Sequence, residues 1–373
     1  MKKSDTLVAF MRMVGDACRT LLAFVFLFSG AVKAVDPLGT TYKIEDYLKA
    51  FGGWFTDLLP FAFAAAVCLI AVEFVLGFCM LLNVRSQWTS WIALVFYLVM
   101  TPLTLYIALN NPVSDCGCFG DALLLTNWQT FYKNIVLLAL VIILLCCRKE
   151  MRPLWLPWME GVLAAAGVII VGGFMAYNMT HLPIWDFRPY KVGNNLPALM
   201  EMPEDAEPDQ YEISFVYEKD GQQQEFTLDN YPKNDSTWTF VRQNSRLVKK
   251  GYEPPIHDFE ILTMDYEDIT YDILESEEEV TLVIMYDLAK VDRKQMDKLM
   301  YIIHEHSRVY FLTGSGEDEV IAFAEELGWD EETMKSTFCY TDPVTLKTIV
   351  RANPGVVVLK NGTVIEKHNM RQL

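Results

Sequence analysis

Apolar runs separated by short polar breaks fill the first half of this 373-residue chain. Four of them meet the roughly 20 residues that a membrane-spanning helix needs. Residues 58–82 carry one charge, Glu73; 88–109 carry none; 130–147 carry Lys133 near one edge; 155–177 carry only Glu160. A weaker run, 17–34, has Arg19 and Lys33 near its ends. It reads as a first span. A signal peptide is the alternative, since Lys2, Lys3, Arg12 and Arg19 come before or within its start and Val32-Lys33-Ala34 passes as a cleavage site. The stretches 35–57 and 110–127 read as loops.

The pattern changes beyond Tyr190. Segments 211–217 and 224–228 flank Lys219-Asp220-Gly221, which predicts a hairpin. From Val280 onward short apolar runs alternate with amphipathic ones. Strands are predicted at 281–286, 309–312 and 338–340, helices at 292–306, 317–327 and 342–350, and a terminal hairpin at 355–359 and 363–367 around Asn361-Gly362. That order predicts a mixed α/β sheet. Four units are expected: a four-span module over 1–150, a fifth span and exit over 151–193, a β-rich connector over 194–255, and an α/β domain over 256–373. The exit His181–Tyr190 reads as an aromatic belt, with Trp185, Phe187 and Tyr190 at headgroup level.

Charge separates the halves. Residues 1–193 hold 14 Lys and Arg against 12 Asp and Glu, whereas 194–373 hold 17 against 36. The acidic half would repel nucleic acid, so that partner class is excluded. Arg85, Arg148, Lys149 and Arg152 lie in two loops expected to be cytoplasmic, as does the N-terminus with Lys2 and Lys3. The 110–127 loop has Asp115 and Asp121 and no cation, so it is expected outside. Five spans then put the acidic domain in the extracytoplasmic space of a cytoplasmic (inner) membrane.

Eight cysteines are present. Cys18, Cys68, Cys79, Cys146 and Cys147 lie in or beside spans and read as packing residues. Cys339 is the α/β domain's only thiol and reads as core packing, with a redox role as the alternative. Cys116 and Cys118 differ: Ser114-Asp115-Cys116-Gly117-Cys118-Phe119-Gly120-Asp121 lies in the outward loop. A pair separated by one glycine can just close a small, strained ring, and strained, exposed disulfides are the labile ones. Three readings stay open: a redox-active dithiol, a static clip, and half a metal site. No histidine stands nearby to complete a site, so no metal is expected. Glu73 reads as a carboxylic acid kept neutral between helices, or as functional. Lys33 reads as a side chain that snorkels outward.

Phe28-Ser29-Gly30-Ala31-Val32-Lys33-Ala34-Val35-Asp36-Pro37, Glu73-Phe74-Val75-Leu76-Gly77 and Cys116-Gly117-Cys118-Phe119-Gly120 together resemble the MauE branch of the DoxX-like membrane proteins, the methylamine-utilisation family, over about residues 6–147. The resemblance implies a redox-associated four-helix module supporting disulfide formation or maturation of extracytoplasmic proteins. It would have Cys116 and Cys118 as exchanging thiols, with Ser29, Gly30, Lys33, Glu73, Gly117 and Gly120 supporting them. A membrane carrier such as a quinone would take up or supply the electrons. Beyond Ile256 the order resembles a thioredoxin-like domain, on Asp258-Phe259, Met285-Tyr286-Asp287 and Asn353-Pro354-Gly355, which makes Pro354 the candidate cis-proline. The chain departs from that pattern where a Cys-x-x-Cys would stand: it reads Asp287-Leu288-Ala289-Lys290-Val291-Asp292. A fold class follows as expectation: a membrane all-α bundle of four helices plus a fifth span, then a degenerate α/β thioredoxin-like domain. Two functions compete, thiol–disulfide exchange and a non-catalytic membrane-anchored scaffold that binds a protein partner.

Overall fold

The computed structural model describes residues 5–371 apart from 114–116, 152, 153, 204, 209, 220, 229, 234, 236, 250, 306 and 307. Cys116 thus lies outside the described residues. Helices α1 (Asp5–Val35), α2 (Pro37–Phe51), α3 (Ala62–Leu81), α4 (Ser86–Asn110), α5 (Asn127–Cys147) and α6 (Pro157–Thr180) build the N-terminal half, with a 3-10 run over Gly53–Phe61 leading into α3. Among the described residues five helices are long and apolar enough to cross a membrane: α1, α3 with its 3-10 lead, α4, α5 and α6. This is a multi-pass membrane protein. Side chains such as Val95, Val136, Ile143 and Ile169 point outward with large exposure, as lipid-facing residues do.

Helices α1 and α3 pack closely because two glycines allow it. A Cβ on Gly30 would stand 2.6 Å from the Phe74 backbone nitrogen, and one on Gly77 would stand 2.5 Å from that of Leu27. Small residues at helix crossings let backbones approach in this way, which a lipid solvent otherwise does little to drive. Leu22, Ala23 and Phe26 are buried against Leu76, Met80 and Tyr97 as a result.

The segment expected to be a loop at 35–57 is mostly helix. Asp36 caps α2 by accepting the Gly39 N–H, and Pro37 takes the first turn, where its missing N–H costs nothing. Helix α5 begins on a capping box, with Thr126 and Gln129 satisfying each other's backbone N–H groups.

After α6 comes a short α7 (Leu196–Met200) and an antiparallel sheet of β1 (Gln210–Lys219), β2 (Gln222–Thr227) and β3 (Thr239–Lys249), in the order β2-β1-β3. The hairpin β1–β2 is as expected; β3 is an additional strand. The C-terminal elements are β4 (Leu262–Thr263), α8 (Thr270–Leu274), β5 (Val280–Met285), α9 (Met296–Glu305), β6 (Val309–Thr313), α10 (Glu317–Leu327), α11 (Glu331–Thr337), β7 (Phe338–Tyr340), α12 (Pro343–Ile349), β8 (Gly355–Lys360) and β9 (Thr363–Asn369). They form one six-stranded sheet, β4-β7-β6-β5-β8-β9. Strands β5, β6 and β7 run parallel, with Val283 opposite Phe311 and Leu312 opposite Cys339; β8 runs antiparallel to β5. Every residue of β5 is buried, because both faces of the sheet are covered.

The exit segment corrects one expectation. Trp185 and Phe187 are exposed, but Tyr190 is only 3% exposed and packs edge-on against Phe259 at 5.8 Å, inside the α/β core. Its neighbours explain this. Arg188 and Lys367 both pair with Asp186, at 2.8 and 2.7 Å, and the Lys367 pair ties the exit chain to β9.

Candidate functional site

Lys33 and Glu73 meet between α1 and α3, beside the Gly30 crossing. The Lys33 Nζ donates to Glu73 Oε1 at 2.8 Å, to Oε2 at 2.7 Å and to Ser29 Oγ at 2.9 Å. Lys33 is 6% exposed and Glu73 4%. The expectation that Lys33 snorkels outward is therefore wrong. Gly30 brings α3 within reach, so the ammonium finds its partner inside the bundle. Glu73, expected as a neutral acid, has a cation for its partner. All three ammonium protons are used.

Ser29 ties this pair to the cysteine loop. Its hydroxyl lies 2.8 Å from Glu73 Oε2 and 2.8 Å from the Cys118 carbonyl oxygen. Gly117 and Gly120 adopt φ of +61° and +52°, a region that favours glycine, and the Gly120 N–H donates to the Gly117 carbonyl to close the turn. Phe119 fixes its other side: it is buried, lies 5.3 Å from the Phe28 ring and carries the Lys133 ammonium 4.3 Å above its face. The buried Asn127 amide donates to Asn111 Oδ1 and the Val113 carbonyl, pinning the start of the loop. Ser29, Gly30, Lys33, Glu73, Gly117 and Gly120 thus stand in one place around Cys118.

Two spaces adjoin this site. An intrabundle cavity of about 360 Å³ is lined by Ser29, Lys33, Glu73, Tyr97, Cys118 and Lys133, with Phe26, Leu69, Met100 and the inner face of α2 completing a mostly apolar wall. A larger cleft of about 660 Å³ lies between the end of the bundle and the α/β domain, lined by charged groups including Asp36, Lys43, Asp46, Arg188 and Lys347. Lys33, Thr40, Lys43 and Gly117 line both. Sequence reasoning missed Tyr97, Lys133, Asn134 and all of α2 as wall residues. Lys133 and Asn134, two polar residues opening an otherwise apolar run, were the available signal.

The α/β domain docks on α2. Arg351 donates to Asp36 through Nη2 at 2.6 Å and through Nε at 3.0 Å, and its guanidinium lies 5.3 Å from the Tyr42 ring centre. Burial pushes the Asp36 carboxyl up, but the charge of Arg351, aided by Arg188 and by two hydrogen bonds, outweighs it and holds the pKa below the usual range. Tyr286, in the Tyr286–Asp292 stretch without cysteine, hydrogen-bonds the Tyr42 side chain and the Arg351 carbonyl. There Asp287 caps a 3-10 turn over Leu288–Lys290. The Asn353–Pro354 peptide is cis, and Asn353 donates to the Asp287 carbonyl.

The other thiols lie away from the site. Cys339 is 2% exposed in β7, and burial pushes its pKa up to about 12. Cys18 and Cys79 are buried in the bundle, whereas Cys68 and Cys146, expected to pack, face outward. Among the described residues no group of three or more His, Cys, Asp or Glu could hold a metal ion.

Residues 211–250, which cover the β1–β3 sheet apart from Gln210, match a family model described as a domain of unknown function (DUF8463). No curated protein and no solved structure matches the chain. Residues 11–147, from α1 to the end of α5, match the family model described as methylamine utilisation protein MauE, so this membrane protein carries a MauE-like helical module.

Proposed function

We propose that the protein exchanges thiols and disulfides with extracytoplasmic proteins through Cys116 and Cys118, and passes the electrons to a lipid-soluble carrier in the bundle. The observation that carries this reading is the position of Cys118. It stands on the wall of an apolar cavity in the span region, next to a glycine that also lines the charged cleft. Thiols of a partner could arrive from one side and a membrane carrier from the other. The cavity volume falls within the roughly 300–1,000 Å³ usual for small-molecule sites. Its mostly apolar wall, with Lys33, Lys133 and Asn134 as polar groups, suits an amphipathic ring such as a quinone. A quinone, when bound, supplies a two-electron, two-proton acceptor. The chain's side of the reaction balances it: two S–H bonds are lost, one S–S bond forms, and two protons and two electrons leave.

The α/β domain, read as a degenerate thioredoxin-like unit, has no part in the thiol chemistry: its lone Cys339 is buried and poorly ionised. This favours partner binding as its task, and it keeps the scaffold reading in contention. Lys and Arg placement supports an inner-membrane protein with a cytoplasmic N-terminus and an extracytoplasmic α/β domain. Protease added to spheroplasts should then remove the chain beyond about residue 190; protection until lysis would refute that orientation.

Trapping tests the chemistry. With Cys118→Ala, acid-quenched cells should hold a mixed disulfide between Cys116 and a partner protein. If no adduct forms, and the wild-type cysteines resist a dithiothreitol titration, the pair is a static clip and the scaffold reading takes its place.

A further inference from the structure

We infer that Lys33 and Glu73, with Ser29, form a proton-exchange site between the water of the cleft and a ligand in the intrabundle cavity. This rests on the carrier reading above and gives the buried pair its part in it. Three observations support it. The first is cost: ionisable groups inside a span are expensive, and replacing a buried ion pair by apolar residues is often neutral or stabilising, so packing does not call for this one.

The second is placement. Lys33 lines both spaces, whereas Glu73 and Ser29 line only the cavity. A proton entering from the cleft at Lys33 needs no further group to reach the cavity. Lys33 gives up one of the N–H protons it shares with Glu73 and Ser29 to an oxygen acceptor on its cavity side and takes one from water on its cleft side. One N–H bond breaks as another forms, and the pair returns to its starting charge. Glu73, at 2.7 and 2.8 Å, can hold the same proton, giving a neutral amine beside a neutral acid with no change in total charge. Titratable and charged groups line the same two spaces: Asp36 and Lys43 from the start and body of α2, Tyr97 from α4, Cys118 and Asp121 from the loop and Lys133 from α5.

The third is the hydrogen-bond count at Ser29. Its hydroxyl has one hydrogen and two acceptors at equal distance, Glu73 Oε2 and the Cys118 carbonyl. Once Glu73 is protonated it no longer needs that hydrogen, which turns to Cys118. The cysteine loop therefore senses the proton. Tyr97 lies within electrostatic reach of both Glu73 and Cys118, on the same cavity wall.

The test uses the full chain in lipid nanodiscs, with loss of the Cys118 thiol followed by mass spectrometry. Decylubiquinone is the membrane-soluble oxidant and glutathione disulfide the water-soluble one. Lys33→Arg keeps a cation opposite Glu73 but cannot give up its proton. It should slow oxidation by decylubiquinone about 100-fold and flatten its pH profile, as loss of a general acid does, while slowing oxidation by glutathione disulfide far less. Equal slowing with both oxidants would mean that Lys33 only holds the loop, and would overturn the proposal. If decylubiquinone oxidises neither form, the carrier reading fails by itself. Infrared spectra then decide the proton exchange. A protonated-carboxyl band that shifts on exchange into deuterium oxide should be seen in the wild type and be absent from the Lys33→Met/Glu73→Gln double variant; its absence from the wild type would overturn the inference.

Discussion

Glu73 has an acceptor-only side chain in the middle of an apolar run, and its tolerance there depends on three residues of α1. Gly30 permits the close approach, Lys33 supplies the charge, and Ser29 adds a third hydrogen bond. Breaking such a pair on one side leaves a buried charge and costs about 3–5 kcal/mol, whereas removing both charges is often tolerated. Glu73→Gln should accordingly lower the thermal midpoint in detergent sharply, and Lys33→Met/Glu73→Gln should recover most of it. A Glu73→Gln variant as stable as the wild type would reject the ionised pair. Gly30→Ala should destabilise independently of charge, by several kcal/mol, because its Cβ meets Phe74 backbone rather than a movable side chain. How legible was this in the sequence? Ser29, Gly30, Lys33, Glu73, Gly117 and Gly120 were all singled out, but only as separate short strings. Snorkelling was the wrong reading of Lys33. A lysine near the end of an isolated span reaches outward by default, and only the packing of a second helix, set by glycines 47 residues apart in the chain, turns it inward.

Helix α2 is the element that the hydrophobic pattern conceals. Fifteen residues with two lysines, a glutamate and an aspartate fall short of any spanning criterion, so 35–57 reads as loop. The Asp36-Pro37 pair was a readable start signal all the same. Its two faces have different tasks: Ile44, Leu48 and Phe51 close the cavity, while Asp46 and Lys49 face the cleft. Whatever moves α2 changes access to the cavity beside Cys118. The α/β domain holds its first turn through Arg351 on Asp36. Arg351→Ala should remove charged hydrogen bonds worth about 1.5–3 kcal/mol, and amides of the first turns of α2 should exchange with deuterium roughly tenfold faster or more. Asp36→Ala should act more strongly at the same amides, since it also removes the helix cap. Unchanged exchange in Arg351→Ala would mean that α2 is held by the bundle alone.

At the scale of the whole molecule, the near-neutral and acidic halves are joined by charge contacts that no local pattern announces, since Asp186 and Lys367 stand 181 residues apart. The α/β order of strands and helices was legible from period alone, but its docking was not. The acidic sequence average hides Arg351 and Lys367, which sit in the joint with Asp36 and Asp186. This joint should be sensitive to acid. Burial pushes the Asp186 carboxyl up, but the charges of Arg188 and Lys367 and their hydrogen bonds outweigh it, taking the pKa from 3.8 to about 2. The unfolded chain therefore binds this proton first as pH falls. Its contribution, about 2 kcal/mol from the shift, is fully present above pH 3.8 and is lost as pH falls through about 2. Lys367 works in the same sense at the alkaline end. Burial and Arg188 lower its pKa from 10.5 to about 8 against the pull of Asp186. Between those values the unfolded chain again holds the extra proton, so this group's share of stability rises with pH. In Asp186→Asn the acid-dependent share disappears, and Lys367, deprived of its carboxylate, should titrate lower still. Melting the full chain across pH in detergent checks both ends. The variant's profile should be flatter than the wild type's between about pH 4 and 2, with its alkaline rise displaced downward. Parallel profiles at the acid end would show that the Asp186 cluster does not hold the joint, and would leave Asp36 and Arg351 as its anchor.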